Sequence, residues 1–208
     1  MNNTENLVAI ANKNGWTAEY DASLAKNPNL FNELFSMLTS IMKGLIENFF
    51  KRTKQVSLEP TADEFNVKRD LKKFLALKSD GGKLDWLDDD IIGWFGKTTI
   101  KGRKQKIVSN IYRLLKNLTH QSIIDTGKKF DIYKKYNLFD AIELASKLID
   151  AGEIEEKGKG IVIYFEEEHD GVPCRVSVCR DDGGKLCLNL LEVDPDREFD
   201  VGGGVLFS

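Results

Sequence analysis

The sequence predicts an α+β protein whose N-terminal two-thirds are helical and whose C-terminal part is an antiparallel β-meander. Apolar residues recur every three or four positions through much of residues 1–151, which is typical of amphipathic helices. From residue 153 onward, apolar and polar residues alternate in short runs between glycine-containing turns, which is typical of strands. With 208 residues, the chain is long enough for one large or two small hydrophobic cores.

The N-terminal part is expected to be a helical domain of residues 1–96. Thr4 is placed to cap a short amphipathic helix, and Gly15 to end it. Paired apolar residues then recur from Leu30 to Phe50, which predicts one long amphipathic helix over about residues 29–52. We expect its apolar stripe to pack into a core, and a groove for a partner is the alternative.

A further helix is expected after residue 60. The run Thr61-Ala62-Asp63-Glu64 matches a capping box. The helix that follows would bury an apolar face made of Phe65, Leu71, Phe74 and Leu75. Aspartates and glycines between residues 80 and 100 then predict a boundary before a second domain of residues 97–208.

Two helices are expected in the first half of this second domain. Apolar residues from Ile107 to Leu118 have helical spacing, as do those of residues 138–151, after which Gly152 is placed to end the helix.

The middle of the chain carries the pattern of a helix, a glycine step, a short strand and a basic tip. Its parts are the expected helix at Ile107, the run Leu144-Ala145-Ser146-Lys147-Leu148-Ile149-Asp150-Ala151-Gly152-Glu153-Ile154, the tip Lys157-Gly158-Lys159-Gly160 and a strand over residues 161–165. This stretch, roughly residues 100–166, resembles a winged helix-turn-helix. The resemblance implies a winged-helix-like middle that binds nucleic acid or protein. The helix that should enter the major groove departs from the family pattern, because it carries Asp140, Glu143 and Asp150.

The C-terminal meander has a register that the sequence predicts. A two-residue turn at Asp170-Gly171 would place Phe165 opposite Val176 and Ile163 opposite Val178. The next hairpin is expected to have a three-residue loop at residues 182–184. The predicted pairs there are Val178 with Leu188, Val176 with Leu190, and Cys179 with Cys187. The outer face of the meander would then carry Arg175, Ser177, Cys179, Cys187 and Asn189. For the glycine-rich end at residues 201–207, both a strand and a flexible tail remain open.

Charge is distributed unevenly along the chain, although the net charge is only −3. Residues 97–135 hold 11 basic and 2 acidic residues, whereas residues 136–208 hold 7 basic and 17 acidic residues. A cationic segment of this density attracts polyanions, unless it faces the acidic segment within one fold.

This charge pattern favours a non-catalytic binding protein, most simply a nucleic-acid-associated regulator that contacts DNA or RNA through its basic segment. The predicted phosphate contacts are Lys97, Lys101, Arg103, Lys104, Lys106, Lys128, Lys129, Lys157 and Lys159. The alternative is a protein–protein inhibitor or immunity-type protein whose acidic sheet covers a basic partner. The residues of that alternative surface are Glu166, Glu167, Glu168, Asp181 and Asp182.

Several short strings match catalytic or cofactor motifs only in part, so we expect no cofactor and no metal site. Gly96-Lys97-Thr98-Thr99 lacks the earlier glycine of a phosphate-binding loop. Asp125-Thr126-Gly127 occurs once, whereas aspartic proteases need two carboxylates. Cys174 and Arg180 have phosphatase spacing but lie in a predicted strand, and neither His120 nor His169 has a second ligand at metal spacing. An enzyme with an unrecognised site remains the third class.

The sequence also predicts a cytoplasmic protein without a membrane span. No charged-then-apolar signal segment begins the chain, and charged residues interrupt its most apolar window, residues 30–50. The three cysteines lie in the last fifth of the chain. We expect Cys179 and Cys187 to be reduced, with oxidative switching as the alternative.

Overall fold

Residues 36–37, 44–154, 157 and 159–207 are described by the structure, a computed structural model. The chain divides into a unit of residues 1–45 and a unit of residues 46–208. The helix expected after Thr4, and most of the helix expected over residues 29–52, lie outside the described residues. The second unit holds the strands and helices that follow.

Its strands and helices alternate along the chain. The strands are β1 (Phe50–Leu58), β2 (Phe65–Asn66), β3 (Trp86–Leu87), β4 (Thr99–Ile100), β5 (Ile107–Leu114), β6 (Leu118–Thr119), β7 (Ile161–His169), β8 (Val172–Arg180), β9 (Leu186–Glu192), β10 (Glu198–Phe199) and β11 (Gly204–Phe207). The helices are α1 (Val67–Phe74), α2 (Asp90–Phe95), α3 (His120–Lys129) and α4 (Leu138–Asp150), with a short 3-10 helix at Lys78–Asp80.

Seven of the strands form one mixed sheet in the order β1-β5-β11-β7-β8-β9-β3. The pairs β11–β7 and β3–β9 are parallel, and the other neighbours are antiparallel. The predicted fold class, with helical N-terminal two-thirds followed by a separate meander, is therefore wrong. The C-terminal strand β11 lies between β5 and β7. It thereby joins the meander to β1 and β5, which come from the part of the chain that was expected to be helical.

The helix expected at Ile107 is the interior strand β5, so the first helix of the expected winged-helix-like middle is not present. Ser109 and Ile111 are buried on one face of β5, and Tyr112 and Leu114 contribute to burial on the other. A strand that is covered on both faces loses the simple alternation of apolar and polar residues, and its spacing then imitates that of a helix.

Two N-terminal boundaries also differ from the expectation. The expected helix of residues 29–52 cannot reach residue 52, because Phe50 begins β1, the edge strand of the sheet. The capping box at residues 61–64 does not start α1. Instead Asn66 is the N-cap, and its Oδ1 accepts a hydrogen bond from the Arg69 backbone N–H at 3.1 Å. Phe65 lies in β2, so it belongs to a strand that pairs with β4.

The meander agrees with most of its predicted register. Val178 faces Leu188, Val176 faces Leu190, and Cys179 faces Cys187. The turn at Asp170-Gly171 is also confirmed, with positive φ at both residues.

A bulge between Tyr164 and Glu168 changes the predicted pairing of β7 with β8. It shifts the register by two residues, so Ile163 faces Val176 instead of Val178. Because the shift is an even number of residues, every side chain keeps its predicted face.

Both faces of the sheet are covered. Helices α1, α2 and α4 pack on the first face with Ile163 and Val176. On the second face, α3 packs against Tyr164 and Phe207 through Ile123, and Val193 and Phe199 add to this cluster. The predicted outer face of the meander is therefore not a surface: Arg175, Ser177 and Cys187 are buried.

Candidate functional site

Two segments of the basic region, residues 97–106 and 130–137, lie near one end of the seven-stranded sheet. We call the end where β5 begins and β7 finishes the upper end, and the opposite one the lower end. Residues 97–106 lead into β5 at the upper end. Residues 130–137 reach the same end, because Tyr136 bridges to Phe165 and the Leu138 backbone N–H donates to Glu167 Oε2 at 2.7 Å.

Arg103 joins residues 97–106 to α4 through buried ion pairs. Its Nη1 donates to Asp140 Oδ1 and its Nη2 to Glu143, both on α4, while its Nε donates to the Glu59 carbonyl at 2.6 Å. Only 9% of Arg103 is exposed. Burial raises the pKa of Asp140, against the opposing effects of Arg103 and, through space, Lys134. Arg103 therefore fastens the segment 97–106 to α4 and is not available to a phosphate.

The other predicted phosphate contacts in residues 97–106 differ in whether they form ion pairs within the chain. Lys106 forms an exposed ion pair with Glu59, with 2.7 Å between Nζ and Oε1. Lys97, Lys101 and Lys104 are exposed, and no residue that the structure describes forms an ion pair with them. These three cations therefore keep their charge available to a partner.

Lys128 and Lys129 are the last two residues of α3, which leads into residues 130–137. The preceding residue, Gly127, lies so close to Phe207 that an added Cβ would be 3.1 Å from its ring, and Phe207 ends β11. Both lysines are exposed. Their Nζ atoms lie 5.7 Å and 5.8 Å from the ring centres of Tyr133 and Phe130, respectively. Aromatic rings leave the positive charge uncancelled, so both lysines join the exposed basic set.

Lys157 and Lys159 lie at the lower end and do not join this set. Lys157 bridges to Arg180 and its Nζ donates to the Asp182 carbonyl at 3.3 Å, while Lys159 donates to the Val201 carbonyl. The nine residues of β7, at about 3.3 Å each, separate the two ends by about 30 Å. A wing-like contact by these lysines would need a separate binding surface.

The acidic residues of the alternative surface are also divided between the two ends. Glu166 and Glu168 are exposed at the upper end, where Glu167 instead caps α4, and burial raises the pKa of Glu167. Asp181 and Asp182 lie in the lower hairpin, where Asp181 Oδ1 accepts a hydrogen bond from the Lys185 backbone N–H at 2.8 Å. The set therefore does not form one continuous acidic face.

The short sequences that partly match catalytic motifs lie in ordinary helices and strands. Gly96 is the C-cap of α2, and Asp125 lies on α3. Residues 174–180 belong to strand β8, as predicted. Among the residues that the structure places, no three His, Cys, Asp or Glu side chains gather into a metal-binding group.

All three cysteines are free thiols. Cys179 and Cys187 lie opposite each other as predicted, and the Asn189 side chain donates to Cys179 Sγ at 3.3 Å. Burial raises the pKa of both thiols, so the reactive thiolate form is disfavoured at neutral pH.

One buried polar cluster was missed by sequence reasoning. On the second face of the sheet, His120 Nδ1 and the Tyr164 hydroxyl lie 2.6 Å apart, and Arg175 faces Tyr164 across the β7–β8 pair. The only sequence signal was the basic residue within the otherwise small or apolar face of β8. The alternation of apolar and polar residues predicts that this face is exposed to solvent. It cannot show that segments from elsewhere in the chain cover the face.

Comparison with known proteins found no matching family, no similar curated protein and no similar solved structure. Within the part of the chain described here, no helix is both long and apolar enough to cross a membrane.

Proposed function

We propose that this chain is a non-catalytic, nucleic-acid-associated binding protein that uses exposed lysines at the upper end of the sheet. The observation that carries this proposal is that residues 97–106 reach the upper end, as do residues 130–137, which follow Lys128 and Lys129. Arg103 holds the first segment against α4, while its neighbours Lys101 and Lys104 stay exposed.

The proposed contact set is smaller than the one expected from the sequence. It contains Lys97, Lys101, Lys104, Lys128 and Lys129. Each exposed lysine that meets a phosphate releases a condensed counterion, which favours binding at low salt. Glu166 and Glu168 at the same end reduce the local positive potential. We therefore expect weak, strongly salt-dependent binding with little sequence preference.

Fluorescence anisotropy with labelled single-stranded and duplex oligonucleotides tests this proposal between 50 and 300 mM salt, about the range over which such contacts lose most affinity. We expect the logarithm of the affinity to fall linearly with the logarithm of the salt concentration. The triple variant K97Q/K101Q/K104Q should bind more weakly, and its slope should be less steep by about 2 on single strands and about 3 on duplex if all three lysines contact phosphate.

A matched triple variant at the lower end, K157Q/K159Q/K185Q, is the control, because it removes the same number of charges. It should keep the slope of the wild type. The proposal is wrong if neither oligonucleotide binds at the lowest salt concentration, or if the two triple variants lose affinity equally.

A further inference from the structure

Arg175 is a cation buried on the second face of the sheet. Only 4% of the residue is exposed, and its Nε is sealed from solvent without a hydrogen-bond partner. No hydrogen bond or ion pair joins its guanidinium to any of the residues that the structure describes. Burial of a cation whose Nε has no acceptor is unfavourable, so this arrangement favours an anion beside it.

The groups around Arg175 do not supply a negative charge. Burial lowers the pKa of Arg175 to about 10, so the guanidinium remains protonated at neutral pH. The groups whose charges act on it are Tyr164, Arg197 and Cys179, and no carboxylate is among them. Burial also raises the pKa of Tyr164, and it lowers the pKa of His120 to about 4, so both are neutral at pH 7.

Hydroxyl groups flank the buried cation on the same face. Tyr164 lies directly opposite Arg175 on β7, and Ser177 follows two residues later on β8. Neighbours of this kind project to the same side of a sheet, within reach of one small ligand. Guanidinium and hydroxyl groups together provide the donors that an oxyanion requires.

A surface segment, residues 193–199, covers this cluster. Phe199 stacks on His120 with 5.9 Å between ring centres, and the His120 backbone N–H donates to the Arg197 carbonyl at 3.2 Å. Residues 194–198 are exposed on their outer side. A small ligand at Arg175 would therefore lie beneath this segment.

We propose that Arg175 is the centre of a binding site for a small carboxylate, located between β8 and the covering segment 193–199. A carboxylate matches the forked guanidinium in geometry, and its single charge balances the single buried cation. A phosphate dianion would leave excess negative charge beneath a segment that carries Asp194 and Asp196. With His120 Nδ1–H donating to the Tyr164 oxygen, the Tyr164 and Ser177 hydroxyls would both donate to the carboxylate. Arg197 would lie at the entrance.

Thermal unfolding of the full chain tests this site with acetate as the probe, against chloride at equal ionic strength and pH. We expect acetate to raise the Tm in a saturable way, by about 3–5 °C at a tenfold excess over the Kd. Arg175→Met should lose this response and should be at least as stable as the wild type in chloride. Arg52→Met, which removes an exposed arginine from β1 of the same sheet, should respond like the wild type.

A measurement on the wild type covers the case in which Arg175→Met does not fold. The sealed Nε–H of Arg175 should give a separate 15N–1H resonance, assigned with Arg175→Lys, that shifts as acetate is added. An unmoved resonance, or an acetate response that persists in Arg175→Met, overturns the proposal. A larger Tm increase with phosphate than with acetate would overturn the assignment to a carboxylate.

Discussion

The imidazole Nδ1 of His120 and the hydroxyl of Tyr164 lie 2.6 Å apart, with both side chains almost fully buried. His120 is the first residue of α3, and Tyr164 lies within β7. This hydrogen bond therefore attaches α3 to the second face of the sheet, directly beside Arg175.

The position of His120 predicts a loss of stability in mild acid. Burial lowers its folded-state pKa to about 4, and the charges of Arg175 and Arg197 add to this effect. An unfolded histidine takes up its proton near pH 6.5, so below that pH the unfolded state gains protons that the folded state does not bind. The stability is therefore lost progressively as the pH falls from about 6.5 to about 4. We expect a decrease of about 2 kcal/mol between pH 7 and pH 5, measured by denaturant unfolding.

Two histidine variants separate this effect from general acid sensitivity. His120→Gln should remove most of the difference between pH 7 and pH 5, whereas His169→Gln, at a partly exposed position, should retain it. Equal pH dependence in the wild type and His120→Gln would contradict this account.

Arg103 is expected to contribute to stability rather than to ligand binding. Arg103→Gln leaves Asp140 buried without its counterion, and removal of one partner from a buried pair costs about 3–5 kcal/mol. Lys104→Gln changes the neighbouring exposed charge and should cost less than about 0.5 kcal/mol. Chemical denaturation of both variants measures the difference, and similar stabilities would show that Arg103 is not an internal anchor.

Gly102 should tolerate no side chain. A Cβ at this position would lie 2.2 Å from the Thr61 carbonyl oxygen, which belongs to the backbone and cannot rotate away. Gly102→Ala should therefore destabilise the protein by about 2 kcal/mol or more and displace the segment that carries Lys101.

Gly93→Ala is the matched control for that substitution. Gly93 lies on α2 and has open space around it, so alanine should stabilise the helix by up to about 1 kcal/mol. Urea unfolding compares the two variants, and equal effects would indicate that the close approach to Thr61 is not the cause.

Truncations in β5 distinguish a strand from the helix expected at residue 107. A helical face would bury both Val108 and Ile111, whereas in β5 Ile111 is fully buried and Val108 is 40% exposed. We expect Ile111→Ala to cost about 3–4 kcal/mol and Val108→Ala less than about 1 kcal/mol. The free energy of unfolding measures both, and comparable losses would favour the helical arrangement.

The sequence by itself determined those elements whose signals are local. The hairpin at Asp170-Gly171 follows from residues that adopt positive φ readily, and the register of β8 with β9 follows from side-chain alternation and a short loop. Helix α4 was predicted for a similar reason, because its apolar spacing and the Gly152 that follows it are local signals. The clustering of lysines between residues 97 and 135 is likewise read directly from the sequence.

Only the tertiary structure decided which of these residues meet. Strand β5 is an interior strand because β1 and β11 pair with it, and pairing between segments so distant in sequence leaves no local pattern. The same long-range packing turned Arg103 inward to Asp140 and buried Arg175. Burial depends on what covers a residue, and here the cover comes from other parts of the chain.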